Sequence, residues 1–253
     1  MNRYTTITKG ILLIFSISNS KFDNNIILIY HLWGVFVSKT NKTLQFLIME
    51  ERCADRFSKT IQEKFELSDW KHATAILMSD FPDEWKDLND LLEDFEIPLK
   101  WISEPGGNKS QIAQYIDTFL CKKRGWVEKK FETAIVVDDV KRESPTHKVD
   151  CYKNRIALEL EWNNKDPFFD RDLNNFRLLF DLQVISVGII ITRCDNLQEI
   201  FNKIGKGSSY GNSTTHLSKL DYRIQGGGGA GCPLLVIGIK QNCIKGEWEN
   251  GNN

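Results

Sequence analysis

The chain has 253 residues, of which 41% are apolar, with a formal net charge of -1 and a pI of about 6.4. This length and apolar content are sufficient for one sizeable α/β domain. The balanced charge excludes a uniformly basic surface, although a locally basic cleft on a neutral protein still fits a nucleic-acid partner.

The first 48 residues differ in composition from the rest of the chain. Their two apolar runs, 11–15 and 26–30, are shorter than the roughly 18 residues that a membrane span requires. A secretory signal is the alternative, but no convincing cleavage site with small residues follows. We predict that Met49 is the natural start. The predicted organisation is a non-native or disordered extension over 1–48, a folded domain over 49–245 and a disordered tail over 246–253.

From Met49 onward, hydrophobic periodicity predicts alternating helices and strands. The predicted elements are a helix over 50–63, a strand over 65–67, a turn at 68–69 that caps a helix ending at 77, a helix from 82 to 95, a helix over 110–122, a strand over 131–137, an acidic strand over 156–161, a helix over 171–182, and strands over 184–192 and 234–239. This order indicates an α/β sandwich whose sheet is covered on both faces. The glycine run 226–231 lacks the lysine of a phosphate loop, so we predict a loop before a strand.

The acidic strand carries the most informative pattern. Ile156, Leu158 and Leu160 alternate with residues that include Glu159 and Glu161, so both glutamates point to one side. Carboxylates on a buried face are rarely tolerated unless they are paired or bound to a metal. With Asp150 on a preceding strand or turn, three acids converge on one cation, and all-oxygen ligation suits Mg²⁺. The alternative is a solvated strand face that carries two glutamates.

Four blocks of sequence resemble one family of nucleases. Asp150 stands nine residues ahead of Glu159. In that family the first acid of the metal site likewise stands nine residues ahead of the second. The blocks occur in the family's order: Phe65–Leu77 with Pro82–Lys86, Asp150–Phe168, Gly207–Tyr210 and Pro233–Ile239. They resemble the PD-(D/E)xK nucleases, and most closely the BglII and BstYI group of type II restriction endonucleases, over roughly residues 63 to 240.

This resemblance implies a restriction-endonuclease-like fold, with a central mixed sheet flanked by helices. It implies a cytoplasmic, homodimeric enzyme without a membrane segment. The six cysteines form no CxxC motif, which fits reduced thiols in a cytoplasmic protein. The expected activity is Mg²⁺-dependent hydrolysis of double-stranded DNA at a palindrome with a GATC core. A cognate DNA methyltransferase is the expected genetic partner. The alternatives are a repair or mobile-element nuclease of the same superfamily, and a DNA-binding relative that has lost catalysis.

The resemblance also implies roles for individual residues. Asp150 and Glu159 are the expected catalytic metal ligands. Glu161 is the third expected catalytic residue, although the wider superfamily keeps lysine there and the closest relatives keep glutamine. A carboxylate at this position accepts a proton from the attacking water or orients that water. His147, three residues before Asp150, is predicted to be a loop residue, with a role near the metal as the alternative.

Two segments are expected to read DNA. One follows the acidic strand and the other lies in a glycine-flanked loop; the residues are Asn163, Asn164, Lys165, Ser208, Ser209 and Tyr210. An asparagine amide can bond bidentately to adenine. Ordinary turns are the alternative for both segments. A basic cluster supplies the candidate phosphate contacts: Lys122, Lys123, Arg124, Lys129 and Lys130. The alternative is that these residues belong to a solvated helix end and loop.

Overall fold

The computed structural model describes residues 53–104 and 109–246, together with the backbone of short strands before them. The chain divides into two compact units, Met1–Glu51 and Arg52–Asn253. The described strands of the first unit are β1 (Thr5–Ile7), β2 (Ile11–Leu13), β3 (Leu28–Tyr30), β4 (Val35–Thr40) and β5 (Thr43–Ile48). The predicted extension and tail lie largely outside the described residues and stay predictions.

The second unit alternates helices and strands. Its strands are β6 (Phe65–Trp70), β7 (Ile97–Pro98), β8 (Val127–Lys129), β9 (Glu132–Val137), β10 (Val140–Pro145), β11 (Val149–Lys153), β12 (Ile156–Glu161), β13 (Val187–Arg193), β14 (Leu234–Ile239) and β15 (Ile244–Lys245). Its helices are α1 (Lys59–Lys64), α2 (Ala73–Asp80), α3 (Pro82–Asp94), α4 (Lys100–Ser103), α5 (Gln111–Asp117), α6 (Phe168–Asp181), α7 (Leu197–Lys203) and α8 (Leu217–Gln225). Among the described residues, no helix is long and apolar enough to cross a membrane.

A six-stranded mixed sheet forms the centre of this unit, in the order β6-β14-β13-β12-β11-β8. The three central strands β14, β13 and β12 run parallel, and β6, β11 and β8 add antiparallel edges. Parallel strands need cover on both faces, and the apolar residues of β13 and β14 are buried throughout. The predicted central mixed sheet is therefore confirmed.

Two hydrophobic cores lie on opposite faces of the sheet. The first joins Leu158 and Leu160 of β12 to apolar residues of α1, α3, α5 and α7. The second joins Ala157 of the same strand to α6 and α8. The alternation of β12 thus sends its leucines to the first core and its alanine and glutamates toward α6. This confirms the expected layers, with helices on both sides of the sheet.

Two local predictions were wrong. The continuous helix expected over 50–63 is divided into a 3₁₀ helix, Cys53–Arg56, and α1 from Lys59, because the Ser58 hydroxyl accepts from the Ile61 amide at 3.1 Å and caps α1 there. The turn expected at Ser68 and Asp69 is part of β6, since pairing with β14 extends that strand to Trp70. Asp69 still supports α2 from the strand, where its carboxylate accepts from the Thr74 amide at 3.1 Å.

Other predicted elements are confirmed with small shifts of boundary. The helix from Pro82 ends at Asp94, and the helix expected over 110–122 continues past α5 as a π-helical turn, Thr118–Lys122. The glycine run forms turns between α8 and β14, where Gly227 takes a φ of +88° that favours glycine.

Candidate active site

Glu159 and Glu161 are buried beneath α6. Each has a relative exposure of 1%, on the face of β12 that also carries Ala157. The interpretation of a solvated strand face is therefore wrong. Buried carboxylates need partners, and the neighbouring elements supply some of them.

Asp150 and Glu159 hold each other in place across the β11–β12 pair. The last regular pair of this ladder is Cys151 with Leu158. Beyond it, the Asp150 amide donates to Glu159 Oε2 at 3.2 Å, and the Leu160 amide donates to Asp150 Oδ2 at 3.1 Å. Each acid is thus oriented by the backbone of the opposite strand. The structure brings the two predicted metal ligands together.

Both oxygens of Glu161 have hydrogen-bond donors. Arg171 Nη2 donates to Oε1 at 3.2 Å, and the Asn164 side-chain amide donates to Oε2 at 2.7 Å. Arg171 comes from α6, and Asn164 from the segment that leaves β12. The third predicted catalytic acid is therefore held from two directions.

The helix α6 adds an acid that the sequence reading missed. Asp172 has no exposed surface, and its Oδ1 accepts from Arg171 at 2.8 Å. Its position in the sequence indicates burial. Asp172 lies three residues after Phe169 and four before Phe176, on the buried stripe of an amphipathic helix. A charged residue on such a stripe indicates a buried partner.

His147 completes the cluster. It lies in the loop between β10 and β11, as predicted, and its Nε2 is 3.3 Å from Glu159 Oε1 and 3.6 Å from Asp172 Oδ1. The loop position is therefore confirmed, and His147 lies beside the acids; its role near a metal stays a prediction.

Burial shifts the proton affinities of the site. It raises the pKa of Glu159, and the charges of Asp172 and Asp150 add to this effect. It likewise raises the pKa of Glu161 to about 9 and the pKa of Asp172 and of Asp150. Burial lowers the pKa of His147 to about 4, with the positive charge of Arg171 as the second cause. Four acids thus share a poorly hydrated region that favours a bound cation.

The residues fit a divalent cation. Glu159 Oε1 and Asp172 Oδ2 are buried and have no hydrogen-bond partner in the described part of the chain. Carboxylate oxygens are the ligands that hard divalent ions prefer, and a cation would satisfy atoms that the protein leaves unpaired.

A polar cavity of about 440 Å³ has Asp150, Leu158 and Leu160 in its wall. It therefore lies on the leucine face of β12, opposite the face that carries Glu159 and Glu161. Its wall includes Asn163, Asn164, Ser209 and Tyr210 of the two predicted recognition segments. The chain that follows the second segment contacts the first, because the Thr215 amide donates to the Asn164 carbonyl at 2.9 Å. The structure thus places both segments at one cavity.

The predicted DNA contacts differ in their exposure. Asn163, Lys165, Ser208 and Ser209 are exposed. Tyr210 is buried, with its ring stacked 4.1 Å from that of Phe201 and its hydroxyl accepting from Trp162 Nε1. Tyr210 therefore anchors the second segment from below.

Most residues of the basic cluster are exposed to solvent. Lys122, Lys123, Lys129 and Lys130 are exposed. Arg124 is instead engaged with acids of α3, and its Nη2 is 2.9 Å from Asp90.

The helix-covered mixed sheet, with acids on two adjacent strands, is consistent with a restriction-endonuclease-like fold. The family described as restriction endonuclease BglII/BglIII matches residues 65–239, from the first residue of β6 to the last of β14. The chain belongs to this family. Membership implies a nuclease that binds DNA, in a family that generally uses a divalent metal. A search of curated proteins gives no match for this chain.

Proposed function

We propose that the chain is a homodimeric type II restriction endonuclease, which hydrolyses both strands of DNA at a palindrome with a GATC core and requires Mg²⁺. Family membership supports the reaction class. The observation that carries the proposal is the reciprocal bonding of Asp150 and Glu159 across two strands.

Asp150 and Glu159 would hold the cation. When it is bound, Mg²⁺ lowers the pKa of a water molecule and neutralises charge that develops on the phosphate. The backbone amides of Leu160 and Asp150 fix one oxygen of each acid. This fixed geometry keeps both carboxylates oriented before DNA arrives.

Glu161 would act on the attacking water. Burial raises the pKa of its carboxyl to about 9, so the metal-free protein holds Glu161 protonated near neutral pH. A bound cation would lower this pKa and leave the carboxylate able to accept a proton from water. Arg171 and Asn164 fix its two oxygens, so its orientation does not depend on the substrate. Glutamine, which stands at this position in the BglII and BstYI group, would orient water without accepting a proton.

Recognition would come from the two segments at the cavity. The exposed residues Asn163, Lys165, Ser208 and Ser209 would reach DNA directly, with Asn164 beside them and Tyr210 holding the loop. The lysines of the basic cluster would bind phosphates. A two-fold dimer presents one site to each strand of a palindrome, which is why we propose a homodimer.

We also propose that the catalytic domain spans residues 49–245, works in the cytoplasm, and has a cognate methyltransferase as its genetic partner. The division of the chain after Glu51 and the family match support the domain boundary. A chain starting at Met49 should cut the same sites as the full chain.

The test is a digest of a plasmid of known sequence with the full chain and Mg²⁺. We expect discrete fragments whose ends map to one palindrome containing GATC. A smear of random fragments would contradict site specificity, and ends mapping to sites without GATC would contradict the proposed core.

A further inference from the structure

A second group of donor atoms lies beside the acids just described. His147, Glu159 and Asp172 each offer one ligand atom, and these atoms lie within 4.8 Å of one another. They come from the loop before β11, from β12 and from α6. The separation is suitable for three ligands of one metal ion after small adjustments.

Each of these three side chains has a buried atom without a hydrogen-bond partner among the described residues. The atoms are His147 Nε2, Glu159 Oε1 and Asp172 Oδ2, of which the first two lie 3.3 Å apart without forming a hydrogen bond. Glu159 and Asp172 have relative exposures of 1% and 0%. Unpaired polar atoms are rare in protein interiors, and three of them at one place indicate a missing ligand.

The surrounding protein holds the remaining atoms of the same groups. The Asp150 amide occupies Glu159 Oε2, and Arg171 occupies Asp172 Oδ1. The Asn175 side-chain amide donates to the His147 carbonyl at 3.3 Å and fixes the loop. Such outer hydrogen bonds orient the ligands of metal sites, and here they leave one oxygen of each carboxylate without a hydrogen bond.

We propose that His147, Glu159 and Asp172 form a binding site for a divalent transition-metal ion, separate from the Asp150 site and sharing Glu159 with it. One imidazole nitrogen with two carboxylates favours ions such as Mn²⁺ over Mg²⁺, which prefers oxygen ligands and retains water. The site needs these three side chains and does not depend on DNA cleavage.

The test is pulsed electron paramagnetic resonance of Mn²⁺ bound to the full chain without DNA. A nitrogen nucleus bonded to Mn²⁺ gives a characteristic coupling. We expect that coupling in the unsubstituted chain, and a changed pattern when histidine is labelled with ¹⁵N. Absence of any nitrogen coupling at saturating Mn²⁺ would overturn the site.

Variants assign the signal to one histidine. His147→Gln should lose the coupling, whereas His72→Gln, at an exposed position, should retain it. Asp172→Asn should weaken Mn²⁺ binding about tenfold or more. Persistence of the coupling in His147→Gln would overturn the assignment.

Two further measurements separate the possible outcomes. Thermal unfolding in EDTA shows whether each variant is folded. The ¹⁵N result comes from the unsubstituted chain, so it is valid even if His147→Gln does not fold. Asp150→Asn should lose cleavage and keep the nitrogen coupling, so failure of the proposed nuclease and failure of this site give different results.

Discussion

The side-chain amide of Asn164 donates a 2.7 Å hydrogen bond to Oε2 of Glu161. A predicted base-reading residue is therefore bonded to the predicted proton acceptor. Bidentate recognition of adenine uses both the amide nitrogen and the amide oxygen. The amide nitrogen has two hydrogens, so Asn164 can donate to Glu161 and to a base at the same time. This would couple recognition to the position of the catalytic carboxylate.

We expect Asn164→Ala to weaken cognate DNA binding by about 1–3 kcal/mol per half-site while leaving a scrambled duplex almost unaffected. The cleavage rate of the bound complex should also fall, because Glu161 loses a donor. Binding is measured in EDTA and cleavage in a single turnover, with exposed Asn163→Ala as the comparison. An unchanged cleavage rate would show that the Asn164 bond is unimportant, and equal weakening on both duplexes would show that Asn164 reads no base.

Substitutions of Glu161 should follow a defined order of activity. Glu161→Gln keeps an oxygen that accepts from Arg171, and we expect it to retain partial cleavage. Glu161→Lys places a cation next to the Arg171 guanidinium and should be worse. Single-turnover rates on one cognate duplex give the ranking. The opposite ranking would mean that Glu161 does not act on the water as proposed.

Arg171 should contribute to stability through two buried acids. Arg171→Met leaves Glu161 Oε1 and Asp172 Oδ1 without their cation. Loss of one partner of a buried pair costs about 3–5 kcal/mol. Because the Arg171 side chain is 36% exposed, we expect the lower value of about 2–3 kcal/mol. Arg177→Met, on the solvent side of the same helix, should cost less than about 0.5 kcal/mol in the same urea titration.

The metal-free protein should lose stability as the pH rises. Burial raises the pKa of Glu161 from 4.5 to about 9, so the folded chain binds more protons than the unfolded chain between these values. The contribution of Glu161 to the free energy of unfolding is then fully present below its unfolded pKa. It declines toward pH 9, by at most about 1.4 kcal/mol per pH unit for one group. Urea unfolding in EDTA at several pH values measures this decline, which should be shallower in Glu161→Gln. His147, whose pKa is lowered from 6.5 to about 4, opposes this decline only below its unfolded pKa. A free energy of unfolding that rises between the unfolded pKa of histidine and pH 9 would contradict the raised pKa of Glu161.

Local patterns predicted the strand that carries the site but not the whole site. The alternation of β12 located Glu159 and Glu161, and resemblance supplied the spacing to Asp150. Asp172 and Arg171 reach the site because α6 crosses β12, a tertiary contact without a local signature. The stripe position of Asp172 was the one indication. At Ser68 and Asp69 a local turn preference was overridden by pairing with β14, which depends on residues far along the chain.

We propose that Asp150 and Glu159 form the metal site of a nuclease. The most direct measurement is cleavage of a cognate duplex in Mg²⁺ by Asp150→Ala and Glu159→Ala, with binding of the same duplex followed in parallel. The controls are substitutions of exposed acids, Asp138→Asn and Glu199→Gln. We expect both alanine variants to lose cleavage while still binding the cognate duplex specifically, and both controls to cut normally. Near-normal cutting by both alanine variants would contradict the assignment.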